Sequence, residues 1–138
     1  MKKLCITLFL MLFFIPITNA NDDSVHQIDK TLEECASINF MTAGMNKCTF
    51  EGIEAWNKEI TEYSKQIKKL LNKEESVLFD NTQTAWENYY NKEKEFLYNT
   101  IYNKDGDIHT TIVVNDLYEL TKQRAINLKH YLYQFTEE

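Results

Sequence analysis

Residues 35–71, CASINFMTAGMNKCTFEGIEAWNKEITEYSKQIKKLL, carry the longest uninterrupted apolar stripe in the chain. Met45, Cys48, Gly52, Trp56, Ile60, Tyr63, Ile67 and Leu70 recur at steps of three and four, which puts them on one face of an α-helix. The stripe predicts a long helix from about Thr42 to Leu71, with Asn72-Lys73 as its exit. Such a face needs partners, and the segments on either side supply them.

Upstream, Val25, Ile28, Leu32 and Cys35 trace the face of a shorter helix, with Ser24 as a reasonable N-cap. Cys35 and Cys48 are thirteen positions apart, so one continuous helix would hold them about 20 Å from each other. A disulfide needs their Cα atoms within about 7 Å. If they are joined, the chain turns back between them, with Ile38 to Met41 as the corner and Asn39 or Thr42 capping the helix that follows.

Downstream, Leu78, Ala85, Trp86, Tyr89, Phe96, Leu97 and Ile101 predict a third helix from about Glu75 to Tyr102, its stripe interrupted at Glu93. Asn103-Lys104-Asp105-Gly106-Asp107 is a turn, because glycine admits a positive φ and the carboxylates accept local hydrogen bonds. A calcium loop would need acids at alternate positions and a terminal glutamate, whereas this frame begins on Ile101 and ends on Ile112. Thr110 to Val114 is β-branched and could start extended. Leu117, Leu120, Arg124, Leu128, Tyr131 and Phe135 then mark a last helix starting between Thr111 and Asp116. The reading is all-α: a small, mostly antiparallel bundle of one short, disulfide-linked N-terminal helix and three longer ones.

Lys2 and Lys3 precede an apolar run from Leu8 to Ile15 and a small-residue site, Thr18-Asn19-Ala20, so residues 1–20 read as a cleaved signal peptide. Cys5 lies before the apolar run, not after it, so no lipid anchor is expected. Residues 21–138 then form one domain, periplasmic or secreted. Losing Lys2 and Lys3 takes the 15 basic residues to 13 against 21 acidic ones, a net charge of −8. That charge disfavours nucleic acid as a partner. It serves solubility and also attracts a basic partner. In an exported chain, the two remaining cysteines are most simply one disulfide, with a free thiol pair as the alternative.

Arg124 is the only arginine, and it falls on the apolar side of its helix. A buried guanidinium must be paired. Glu93, the lone acid on the inner side of the third helix, is the expected partner in a structural ion pair; contact with a ligand is the other reading. Trp56, Tyr63, Trp86, Tyr89 and Phe96 stand at core spacing, whereas Tyr90 turns off the stripe and is expected to be exposed. His26, His109 and His130 are scattered, and no phosphate loop or nucleophile elbow occurs, so neither catalytic residues, metal nor cofactor are expected.

Four motifs occur in order: Cys35-x6-Thr42-x2-Met45-x2-Cys48, Trp56-Asn57-x-Glu59-Ile60, Gln83-x-Ala85-Trp86-x2-Tyr89 and Leu120-Thr121-x2-Arg124-x3-Leu128. Together they resemble the lysozyme inhibitor LprI-like family of small exported bacterial proteins. The chain departs from the family pattern after Trp86, where Tyr90, Asn91 and Lys94 stand and a second cysteine pair is missing. The resemblance implies a non-catalytic binder or inhibitor of a cationic cell-wall hydrolase such as lysozyme. An immunity protein or envelope assembly factor with another partner is the alternative. Asp105 and Asp107 at the turn, with Tyr90 as a buried contact, are the candidate partner-binding residues.

Overall fold

A computed structural model describes residues 25–137; the expected leader over 1–20 and the Ser24 cap lie outside the described residues. Four helices follow in order: α1 (Gln27–Ile38), α2 (Thr42–Leu70), α3 (Lys73–Leu97) and α4 (Asp107–Thr136). One π-helical stretch, Tyr98–Tyr102, extends α3 towards the last turn. The all-α bundle with a short, disulfide-linked first helix is therefore the fold.

The helix ends have identifiable local causes. His26 Nδ1 accepts the Ile28 N–H at 3.2 Å and opens α1. Asn39 closes α1: its N–H donates to the Ala36 carbonyl at 3.2 Å and its side chain to the Cys35 carbonyl at 2.9 Å. Between α2 and α3 the chain reverses through a capping box. Asn72 Oδ1 accepts the N–H groups of Glu74 and Glu75 while Glu75 Oε2 accepts that of Asn72 at 2.8 Å, satisfying amides the helix start leaves free. Gly106 holds φ at +107°, which side chains rarely tolerate, and so turns the chain into α4.

Consecutive helices are antiparallel, as the bonds Gln83 to Ser64 and Lys68 to Asp80 show for α2 and α3. Two reversals make α2 and α4 parallel, and these two share the main interface. At its heart Trp56, Ile67, Val113, Val114, Leu117, Ala125 and Leu128 are almost wholly buried. Gly52 makes the crossing possible. A Cβ there would stand 2.7 Å from Cε2 of Tyr118, so close approach, not a bend, explains the glycine.

Two expectations are corrected. The last helix begins at Asp107, ahead of the β-branched run, and Val113 and Val114 lie inside it at 0% exposure. β-branching disfavours a helix by less than about 1 kcal/mol per residue, while burying each valine returns about 1.5–3 kcal/mol, so burial decides. The buried side of α3 also differs from the expected stripe. Phe79, Gln83, Trp86, Tyr90, Glu93 and Leu97 turn inward to differing depths, and Leu78, Tyr89 and Phe96 are exposed.

Candidate functional site

A groove of about 580 Å³ opens between α1, α2 and α4. At its floor Asp29, on α1, reaches across to α4. Its Oδ1 accepts the Tyr118 hydroxyl at 2.5 Å and its Oδ2 pairs with Lys122 Nζ at 3.0 Å. His26 packs on Trp56 with ring centroids 4.3 Å apart. Burial, and then the bond to Asp29, raises the Tyr118 phenol well above its ordinary value; the adjacent Trp56 indole, whose Nε1 lacks a partner in regular hydrogen-bond geometry, acts in the opposite sense. Tyr63, at the groove wall, is pushed up to about 12 by burial first and by the Glu59 carboxylate second. With both Asp29 oxygens engaged, the cluster fastens α1 to α4.

Sequence reasoning overlooked this clamp. The available signal was the position of Asp29, four residues after Val25 and three before Leu32, which places a carboxylate on the apolar side of α1.

The second feature is one end of the bundle. Gly52 touches Tyr118; α2 begins ten residues before the first, α4 eleven before the second. At 1.5 Å per residue both helices start about 15 Å from their crossing, at the same end. The α1–α2 corner and the α3–α4 turn therefore lie at the same end of the bundle. At the corner Cys35 and Cys48 are joined, with Cα atoms 5.8 Å apart, as one of the two readings of the sequence required. Between them Ile38, Phe40 and Met41 are strongly exposed, Phe40 at 79%. Asp105 and Asp107 are exposed on the turn at this end.

The remaining expected site residues are placed differently. Tyr90 is half-buried, its ring 5.5 Å from that of Trp86, and it packs against the core. Twelve residues, about 18 Å of helix, separate it from Tyr102 at the turn, so it does not join Asp105 and Asp107 in one patch. Arg124 is buried, as its position suggested, but does not pair with Glu93. Its Nη2 donates to Gln83 Oε1, and its guanidinium lies 5.7 Å from the centre of the Trp86 ring. Gln83 in turn donates to Ser64 Oγ at 2.8 Å, so the network crosses α4, α3 and α2. The reason is axial level. Arg124 faces Gln83, and Glu93 lies ten residues, about 15 Å, farther along α3, beside Leu97 and Leu120. Burial lowers the Arg124 pKa from its ordinary value.

Residues 34–128 match the family described as Lysozyme inhibitor LprI. No curated protein matches the chain. Among solved structures, the crystal structure of an uncharacterized protein from Burkholderia thailandensis has the same fold, with a TM-score of 0.73 at 17% identity over 81% of this chain and 56% of that one. This chain thus spans little more than half the length of that structure, and the likeness is one of fold alone.

Proposed function

The chain belongs to the lysozyme inhibitor LprI family, and from that premise we propose that it is an exported, non-catalytic protein that binds and blocks a cationic cell-wall hydrolase of the lysozyme kind. The match over residues 34–128, which takes in the disulfide corner, the acidic turn and most of α4, is the observation that carries this reading. Charge supports it. The chain has 21 acidic residues against 15 basic ones, and such an imbalance raises the encounter rate with a basic protein. No helix among the described residues is long and apolar enough to cross a membrane, which is compatible with action in the envelope or outside it.

The attraction is screened over about 8 Å at physiological ionic strength, so inhibition should weaken as salt rises. Asp105 and Asp107 supply part of it, and Asp105→Asn with Asp107→Asn should slow association. The test is clearance of a cell-wall suspension by a cationic c-type lysozyme, with binding followed by calorimetry at low and physiological salt. Absence of binding at low salt by protein shown to be folded would discard the reading. An immunity or assembly role with a different partner would then be the one to pursue.

A further inference from the structure

We propose that the α1–α2 corner, with Phe40 at its centre and Ile38 and Met41 beside it, is the anchor that enters an apolar recess on the basic hydrolase. This rests on the function proposed above and adds the surface to it.

Three observations carry the assignment. The first is exposure. Ile38, Phe40 and Met41 are 75%, 79% and 71% exposed within four residues, although burying a side chain of this size is worth about 1.5–3 kcal/mol. Scattered apolar residues need no explanation, but three together on a projecting corner mark an interaction site.

The second is rigidity. The Cys35–Cys48 disulfide ties the two arms of the corner together. Asn39, in the middle, is held by the Ala36 and Cys35 carbonyls. A partner therefore meets a preformed shape and little ordering entropy opposes binding. Most binding energy at protein interfaces comes from a few such central side chains surrounded by polar ones.

The third is the charge around it, which selects the occupant. Glu33 and Glu34 lie on one arm, Glu51 beyond the other, and Asp105 and Asp107 on the turn at the same end of the bundle. Lys47, within 3.7 Å of Glu51, and Lys104 on the turn are the basic residues set against these five acids, so negative charge predominates. An apolar tip in an acidic surround fits a recess with a basic rim, as on a cationic hydrolase. Two copies of this end would bring like charges together.

The test uses the chain from residue 21, oxidised, against a cationic c-type lysozyme in surface plasmon resonance, with sedimentation velocity of the protein alone. Phe40→Ser should weaken binding by about 30-fold, the loss of one central anchor, mainly through faster dissociation. Its melting temperature should stay unchanged, because the ring is exposed. Tyr89→Ser, at an exposed site on α3, should leave affinity within about twofold. If wild type binds and Phe40→Ser binds equally well, this surface is wrong while the function stands. If wild type does not bind, the function fails and the assignment falls with it. A dimer abolished by Phe40→Ser, with lysozyme binding unchanged, would give the surface to self-association and overturn the proposal.

Discussion

Replacing Gly52 by alanine sets two effects of similar size against each other. Alanine in a helix interior is worth about 1 kcal/mol over glycine, so an unobstructed site would gain stability. Here the added Cβ would meet Tyr118 Cε2 at 2.7 Å and Cδ2 at 3.2 Å, where carbon atoms prefer about 3.5–4.0 Å. The ring would have to retreat by nearly 1 Å. It is 5% exposed and its hydroxyl is 2.5 Å from Asp29, so retreat either stretches that bond or parts α4 from α2. A hydrogen bond to a charged group contributes about 1.5–3 kcal/mol, and overpacking costs about 1–3 kcal/mol. The clash outweighs the propensity gain, leaving Gly52→Ala less stable by about 1–2 kcal/mol. For a chain of this size that lowers Tm by about 4–8 °C.

Urea unfolding followed by circular dichroism measures the effect, and a double-mutant cycle assigns it. In a Tyr118→Leu background the obstruction is gone, so Gly52→Ala should become neutral or stabilising. A single mutant at or above wild-type stability would refute the close-approach argument. Equal destabilisation in both backgrounds would show that something other than the Tyr118 ring opposes the methyl group.

Cys35→Ser with Cys48→Ser should cost about 3 kcal/mol, the chain-entropy value for so short a loop, read from the urea midpoint. Arg124→Met should cost about 1–2 kcal/mol, because Gln83 Oε1 loses its donor while Nε2 keeps Ser64 and no charge is left unpaired; a loss of about 3–5 kcal/mol would restore the ion-pair reading. Tyr63 and Tyr118 hold their protons more tightly folded than at the ordinary phenol value of 10.0, so their contribution is full below about pH 10 and is lost as pH rises, for Tyr63 through about 12. Urea midpoints between pH 9 and 11.5 should fall less steeply in Tyr63→Phe with Tyr118→Phe than in wild type, and equal slopes would contradict the shifts.

Residues differed in how far their spacing could speak for their structure, and α2 and α3 mark the two limits. In α2 the apolar positions from Cys48 to Ile67 form one stripe that is buried along most of its length, so the helix ends within one residue of its expected span. Around α3 the apolar residues exceed what the bundle can cover. Leu78, Tyr89 and Phe96 stay exposed while only Phe79 and Leu97 are buried, so spacing alone cannot choose the inward side. Arg124 shows a further limit. Its own helix reveals that it points inward, but whether it faces Gln83 or Glu93 depends on how far α4 has slid along α3, a quantity that periodicity within one helix does not contain.

The bundle end illustrates the same separation between pattern and position. Thirteen residues between two cysteines are enough to require a reversal if they bond, and Asp105-Gly106-Asp107 is recognisable as a turn from its residue types. That the two reversals share one end of the bundle follows only from the parallel packing of α2 and α4, which the helix order imposes and the Gly52–Tyr118 crossing sets in level. Phe40 has the same apolar character in the sequence whether it is buried or exposed. Its meaning changes once Cys35, Asn39 and Cys48 hold the backbone at a corner and leave the ring facing solvent. An apolar ring left exposed on a crosslinked corner is available to another molecule at little ordering cost, which is why the rigidity of the corner, together with its hydrophobicity, supports the partner proposed above.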